Sequence, residues 1–155
     1  MKKQKIFVGG DHAGFFVKEK LKKILEKNYE VFDVGPFKFD HDDDYPKYAI
    51  PVAQNVAKTK DSLGILICGS GIGVSIAANK VKGIRAAPIL DVKSAKLAKE
   101  HGNNNVLCLS ARETSFEKNK KILLTWLKTP FSNKPRHVRR LKEIVKFENK
   151  NWLGK

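Results

Sequence analysis

The sequence predicts an α/β domain built on a mostly parallel sheet with helices on both faces. Three observations carry that prediction. Strand-like and helix-like runs alternate five times with short connections between them. The apolar run from Leu63 to Ile67 is short, continuous and bounded by turn residues, as a strand buried on both faces must be. A glycine-rich turn, Gly69-Ser70-Gly71-Ile72-Gly73, follows that run after Cys68 and opens a helix. The glycines allow a sharp turn and a close backbone approach to a ligand. The helix start offers unpaired N–H groups to an anion.

The elements follow in order. Lys5 to Gly9 reads as the first strand and ends in Gly9-Gly10-Asp11-His12. Phe15 to Lys27 carries Phe16, Leu21, Ile24 and Leu25 near helical spacing with lysines opposite, and Asn28 is the stop signal. Tyr29 to Val34 alternates as a strand and ends at Gly35-Pro36. The stretch from Phe37 to Pro46 is a polar loop with Asp40, Asp42, Asp43 and Asp44 around His41. It lacks the glycine and distal glutamate of an EF-hand, which favours a solvated active-site loop over a calcium site.

Tyr48 to Lys58 is predicted as a helix with Ile50, Val52, Ala53, Val56 and Ala57. The central unit is a strand from Ser62 to Ile67 and a helix from Gly73 to Lys80. Gly83 to Ala87 reads as a fourth strand, Val92 to His101 as a helix, and Asn105 to Leu109 as a fifth strand. Glu113 to Lys128 is a long helix with Ile122, Leu123, Trp126 and Leu127 inward. Pro130 to Lys134 breaks it, and a final helix starts at Pro135, a residue suited to a first turn.

Bulk properties narrow the function. A chain of 155 residues suits one domain with its own core. No apolar run is long enough to cross a bilayer, and the patch after the basic N-terminus is too short for a signal peptide. The expectation is a cytoplasmic protein. The two cysteines, Cys68 and Cys108, fall in predicted buried strands, which fits a reducing compartment and argues against a disulfide. No Cys/His cluster has zinc spacing. The net charge of +15 comes from lysines spread over most predicted helices, including Lys18, Lys22, Lys96, Lys99 and Lys118. That spread fits a solvated surface better than a nucleic-acid stripe or a membrane face, and its field attracts anionic substrates.

In sheets of this kind ligands bind beyond the carboxyl ends of the strands, at a switch in strand order. Asp11 and His12, Cys68 with its glycine loop, and Arg112 all fall at such ends. Two readings of Cys68 stand on local grounds: an inert buried thiol, or a nucleophile whose thiolate is favoured by the adjoining helix dipole. Arg136 and Arg140 share a helix face. They can grip one phosphate, or form a basic solvated helix start. His101, at a predicted helix end before Gly102-Asn103-Asn104-Asn105, reads locally as a residue that interacts with the helix dipole.

Taken together, these residues resemble the type B ribose-5-phosphate isomerases, in the sugar-phosphate isomerase family that includes galactose-6-phosphate isomerase subunits. The matching pieces are Gly10-Asp11-His12-Ala13-Gly14, Asp44-Tyr45-Pro46, Cys68 to Gly73 with Ala77-Ala78-Asn79-Lys80, Gly83-Ile84-Arg85-Ala86, Glu100-His101, Asn105-Val106, Ser110-Ala111-Arg112, and Arg136-His137 with Arg140. They occur in order over nearly the whole chain.

The resemblance implies a single-domain Rossmann-like three-layer sandwich with a five-stranded parallel sheet and a C-terminal helical extension from about residue 135 that packs at a dimer interface. It implies a homodimer or tetramer with shared active sites, no cofactor and no metal, and neither nucleic acid nor membrane as partner. The implied reaction interconverts ribose 5-phosphate and ribulose 5-phosphate through a cis-enediolate. Cys68 is then the base at C2, His101 opens the sugar ring, and Ser70 relays a proton. Asp11, His12 and Tyr45 meet the sugar or its phosphate. Gly69, Ser70, Gly71, Ile72 and Gly73 hold the reacting end, with Gly102 and Asn103 beside it. Arg112, Arg136 and Arg140 take the phosphate, a role whose planar geometry suits arginine better than lysine.

Two positions depart from the family pattern. Members without the cysteine carry a glutamate where this chain has Val74, which leaves Cys68 as the base. The residue after the ring-opening histidine is usually asparagine and here is Gly102, which leaves room for a six-carbon sugar phosphate unless Asn103 substitutes. The alternatives are a galactose-6-phosphate or allose-6-phosphate isomerase, and a non-catalytic sugar-phosphate-binding module. Retention of both Cys68 and His101 favours a self-sufficient enzyme.

Overall fold

The computed structural model describes residues 3–151. Five parallel strands form one sheet: β1 (Lys5–Gly10), β2 (Glu30–Asp33), β3 (Leu63–Cys68), β4 (Ala86–Pro88) and β5 (Val106–Ser110), in the order β2-β1-β3-β5-β4. Between them run α1 (Phe15–Leu25), α2 (Pro46–Lys58), α3 (Ile72–Ala78) and α4 (Val92–Gly102). After β5 come α5 (Phe116–Lys128) and α6 (Pro135–Asn151).

Strand alternation sorts the core into two layers, because successive side chains point to opposite faces. Ile6, Val8, Ile65, Ile67, Leu107 and Leu109 meet α1, α4 and α5, through Leu21, Leu25, Ala95, Ile122, Leu123 and Trp126. Phe7, Leu66, Cys68, Val106 and Cys108 meet α2 and α3, through Val52, Ala53, Val56, Val74 and Ala78. The expected three-layer sandwich is therefore present. Helix α6 lies outside it, and His137 is its buried residue.

Several expected details are corrected. Phe16 does not face the core but is 63% exposed, whereas Lys18, counted among the solvated lysines, is 1% exposed. Its ammonium bonds Glu19 at 2.7 Å and both carboxylate oxygens of Asp33 at 2.7 and 2.9 Å. A buried cation needs such partners, and Asp33 at the end of β2 supplies them. Burial pushes the Asp33 carboxyl up, but Lys18, Lys22 and the Gly35 N–H outweigh it and hold the group below its ordinary range.

The fourth strand is shorter and later than expected. Around Arg85 the backbone is bonded by asparagine side chains: Asn105 Oδ1 accepts the Arg85 N–H, and Asn104 Nδ2 donates to the Arg85 carbonyl. Helix α2 starts at Pro46, before Tyr48, and its Ile50 lies outward at 37% exposure. Helix α5 starts at Phe116 and not at Glu113, because Ser115 caps it by accepting the Lys118 N–H at 3.2 Å. Among the described residues no helix is long and apolar enough to cross a membrane.

Candidate active site

Strand β1 hands the chain to α1 on one face of the sheet, and β3 hands it to α3 on the other. The carboxyl ends of these neighbouring strands therefore form a switch point, where a crevice opens. A cleft of about 250 Å³ lies there, lined by Asp11, Tyr45, Cys68, Ser70, Arg112 and the loop glycines 69 and 73.

Cys68 ends β3. Its Sγ accepts the Gly71 N–H at 3.2 Å. Gly71 has φ +78°, a conformation that side chains resist, and a Cβ there would lie 3.2 Å from the Leu109 carbonyl oxygen. Ser70 Oγ accepts the Ile72 N–H at 3.2 Å, while the Ile72 side chain points outward at 55% exposure. The Tyr45 ring lies against Gly73, so close that a Cβ would come within 2.7 Å of it. The Arg112 guanidinium covers Gly69, at 3.1 Å from the position of an added Cβ. The loop is tied down from β5: the Ser110 hydroxyl donates to the Gly69 carbonyl at 2.7 Å, and the Arg112 N–H donates to the same oxygen at 3.0 Å.

Asp11 and His12 follow β1. The Asp11 N–H donates to the Ile67 carbonyl at 3.2 Å, and its Oδ1 accepts the Gly14 N–H at 3.1 Å. A Cβ on Gly14 would fall 2.3 Å from the Ile67 oxygen, so glycine lets the turn dock on β3. His12 donates through its backbone N–H and through Nδ1 to Asp43 Oδ1, at 2.8 and 2.9 Å. That hydrogen bond first, and the Asp11 charge also, raise the His12 pKa above its ordinary value. The aspartate loop is thus not wholly solvated. Asp43 turns inward to His12, and Asp40 Oδ1 accepts the Asp42 N–H. Among the described residues no group of three or more His, Cys, Asp or Glu side chains is arranged to hold a metal ion.

Both cysteines are free thiols. Cys108 has no exposed surface, and burial pushes its thiol far up, with the neighbouring Cys68 adding to the effect. It reads as a packing residue.

The remaining expected residues lie at the opposite edge of the sheet. Helix α4 returns antiparallel to the strands, so its C-terminal end, with His101, Gly102 and Asn103, sits where the strands begin. Asn103 shares a cavity of about 400 Å³ with Gln4 and Leu63, at the starts of β1 and β3. Strand β5, five residues long, separates the two edges by roughly 17 Å. The His101 ring packs against His137 at 4.3 Å between centroids, tilted by 35°. His137 Nδ1 meets Ser132 Oγ at 2.6 Å, and its Nε2 accepts the Arg136 Nε–H at 3.2 Å. That bonding places the proton on Nδ1 and leaves the ring neutral. Burial first, and then its basic neighbours His101, Arg136, Lys134 and Arg140, lower its pKa accordingly. Arg136 and Arg140 stand exposed on α6 beside this pair.

Asn103 has φ +41° and caps α4, and Arg85 donates to its carbonyl at 2.8 Å through Nη2 and to the Gly102 carbonyl at 3.1 Å through Nε. Gly102 is glycine for no backbone reason: its φ is ordinary, and a Cβ there would meet nothing within 4 Å.

The chain therefore brings together Asp11, Tyr45, Cys68, Gly69, Ser70, Gly73 and Arg112 around the cleft, with Gly71 and Ile72 in the same loop and His12 next to Asp11, turned to Asp43. It does not bring His101, Gly102, Asn103, Arg136 and Arg140 to them. Sequence reasoning missed Asp43 as a partner of His12, since four aspartates in one polar loop carry no signal for the one that turns inward.

Comparison with known proteins places the chain in a family. The family model described as Ribose/Galactose Isomerase matches residues 6–144. A relative from Mycoplasma genitalium named probable ribose-5-phosphate isomerase B is 47% identical over 145 residues, covering 92% of this chain and 95% of the relative. One from Mycolicibacterium paratuberculosis named ribose-5-phosphate isomerase B is 39% identical, covering 93% and 91%. The crystal structure of ribose-5-phosphate isomerase B from Mycoplasma genitalium with bound ribulose-5-phosphate superposes with a TM-score of 0.93 at 42% identity, over 97% of this chain and 100% of that one. The type B ribose 5-phosphate isomerase of Trypanosoma brucei gives 0.89 at 42% identity, over 96% and 100%. With a shared fold and a match that runs from β1 into α6, the chain belongs to the ribose/galactose isomerase family.

Proposed function

We propose that this protein interconverts D-ribose 5-phosphate and D-ribulose 5-phosphate, at sites each assembled from two copies of the chain. The observation that carries the reading is the Cys68 sulfur, held by a backbone amide in a cleft that also presents Asp11 and Arg112. Moving a carbonyl between C1 and C2 needs a base at C2 and donors for the enediolate oxygens. Cys68 takes the C2 proton and returns it to C1. The amides of the Gly69–Gly73 loop face the charge that develops on oxygen. Ser70 passes the proton between the two oxygens, and Arg112 contributes to anion binding. A positioned proton-transfer group contributes about 10²–10⁴-fold in rate. The ribulose-5-phosphate bound in the Mycoplasma genitalium structure supports this substrate class.

Ring opening and phosphate binding are assigned to His101, Arg136 and Arg140 of a second copy. Two features favour a second copy. His101 and Cys68 lie at opposite sheet edges of one chain. Apolar side chains also stand uncovered on several helices: Ile72 and Ile76 on α3 at 55% and 56% exposure, and Ile144 and Phe147 on α6 at 51% and 68%. A homodimer with α6 at the interface covers such surface, and two dimers make a tetramer. The compartment proposed is the cytoplasm.

The open space at Gly102 favours a second reading, an allose-6-phosphate or galactose-6-phosphate isomerase of the same chemistry. A coupled assay on ribose 5-phosphate without added metal tests the first reading, with allose 6-phosphate and galactose 6-phosphate run in parallel. Turnover of ribose 5-phosphate above the six-carbon sugars supports it. Turnover of a six-carbon sugar alone selects the second, and binding without turnover of any sugar leaves the module reading.

A further inference from the structure

We propose that Asp43 is a positioning residue for the sugar-phosphate site: its buried carboxylate holds the His12 Nδ1–H and so orients the ring, whose Nε2–H in the imidazolium form donates to the bound phosphate or sugar oxygens. The inference rests on the reading of the cleft given above.

Four aspartates crowd the loop before α2, but Asp40, Asp42 and Asp44 are exposed. The Asp43 side chain is 1% exposed. Its Oδ1 accepts both the backbone N–H and Nδ1 of His12, at 2.8 and 2.9 Å. A carboxylate oxygen can only accept here, so Nδ1 carries the proton, and Nε2 lies on the far side of the ring. His12 Nε2 makes no hydrogen bond among the described residues, and the side chain is 28% exposed beside Asp11. Asp43 Oδ2 is buried with no hydrogen-bond partner among the described residues. A carboxylate so desolvated is stabilised by a cation, and the titratable cation paired with it is His12, at 2.9 Å.

The other groups acting on the pair are few. The Asp11 carboxylate adds to the pull on His12. The His41 ring stands 5.8 Å away between centroids. The Tyr48 phenol also faces Asp43: its pKa is raised by burial first, then by hydrogen bonding toward Asp43 and by the Asp43 and Asp40 charges, so it remains neutral. Two carboxylates thus act on one imidazole and favour its cation. The sign follows: a raised folded-state pKa means that the pair's contribution is full below the unfolded value of about 6.5 and is lost as pH rises through the folded one. In the imidazolium form both ring nitrogens carry a hydrogen, and Nε2–H is then a charged donor.

Asp43→Asn tests charge apart from shape, since an amide oxygen can still accept both His12 hydrogens. Asp43→Ala removes both. Two readouts are needed. ¹⁵N NMR of the His12 ring, with and without inorganic phosphate, follows tautomer and titration whether or not the protein turns over sugar. The pH dependence of kcat and KM on ribose 5-phosphate follows function. In Asp43→Asn the Nδ1–H tautomer is expected to persist and the titration midpoint to fall. Inorganic phosphate shifts the His12 Nε2 signal in the wild type and less in the variant. KM at neutral pH rises about tenfold, the scale of one charge-assisted hydrogen bond, with kcat within about twofold. In a His12→Gln background Asp43→Asn adds nothing to KM. An unmoved His12 titration in Asp43→Asn, with only Tm lowered, overturns the proposal and leaves Asp43 a loop anchor. A His12 ring that ignores inorganic phosphate in the wild type overturns it as well. A wild type that isomerises no sugar yet shows the pairing and the phosphate response sinks the isomerase reading but not this one.

Discussion

The two edges of the sheet are built differently. At the carboxyl edge the site is closed by the chain's own backbone. Gly71 in a left-handed turn directs an amide at Cys68, and Ser110 and Arg112 lock the Gly69 carbonyl from the next strand. At the amino edge the functional groups stand outward on helix ends. Arg136 and Arg140 are exposed, and His101 rests on a buried His137. The first region is pre-organised to hold a reacting centre. The second has exposed charged side chains around a buried His137. The proposed two-chain site rests on this contrast between the edges.

Substitutions at the two edges should therefore fail differently. The largest effect is expected from Cys68→Ala, which lowers kcat by about 10²–10⁴-fold and leaves binding of a phosphate-bearing inhibitor nearly intact. Calorimetry beside the kinetic assay checks this. Wild-type turnover in Cys68→Ala would move the base elsewhere. Next come Arg136→Ala and Arg140→Ala, each expected to raise KM by about 10–100-fold with a smaller change in kcat, the loss of a charge-assisted contact. An unchanged KM in both removes the amino-edge group from the site.

Gly71→Ala should cost more than about 1 kcal/mol of stability, because φ +78° and the Leu109 carbonyl at 3.2 Å both oppose a Cβ. Denaturant midpoints measure it. The smallest effect is expected from Gly102→Asn. Nothing lies within 4 Å of its Cβ, so stability should stay within about 0.5 kcal/mol while the ratio of five- to six-carbon turnover shifts. A large loss of stability there would show that the amino edge is packed more tightly than its geometry says.

The layers were legible in the sequence for a simple reason. Buried parallel strands need continuous apolar runs, and β3 and β5 have them. The Cys68 loop was legible because closely spaced glycines after such a strand leave few other shapes. What was illegible depended on partners distant in the chain. Periodicity placed Phe16 inward and Lys18 outward, since it counts apolar residues and cannot see Asp33 waiting at the end of β2. The fourth strand was set too early because Asn104 and Asn105 bond the backbone at Arg85. Inward rotation of Asp43 leaves no trace among its three neighbours. The separation of His101 from Cys68 needed no side-chain detail: a helix that joins parallel strands must return to the edge where the next strand begins, and His101 ends such a helix.

Complementation measures the central claim most directly. Cys68→Ala and His101→Asn are each purified inactive, then mixed, unfolded and refolded together. In a mixed two-fold dimer one shared site carries both substitutions and the other carries neither, so random pairing should restore about one quarter of wild-type activity. No recovery, with mixed dimers demonstrated by mass, would mean that each site is confined to one chain, against the division between the two sheet edges.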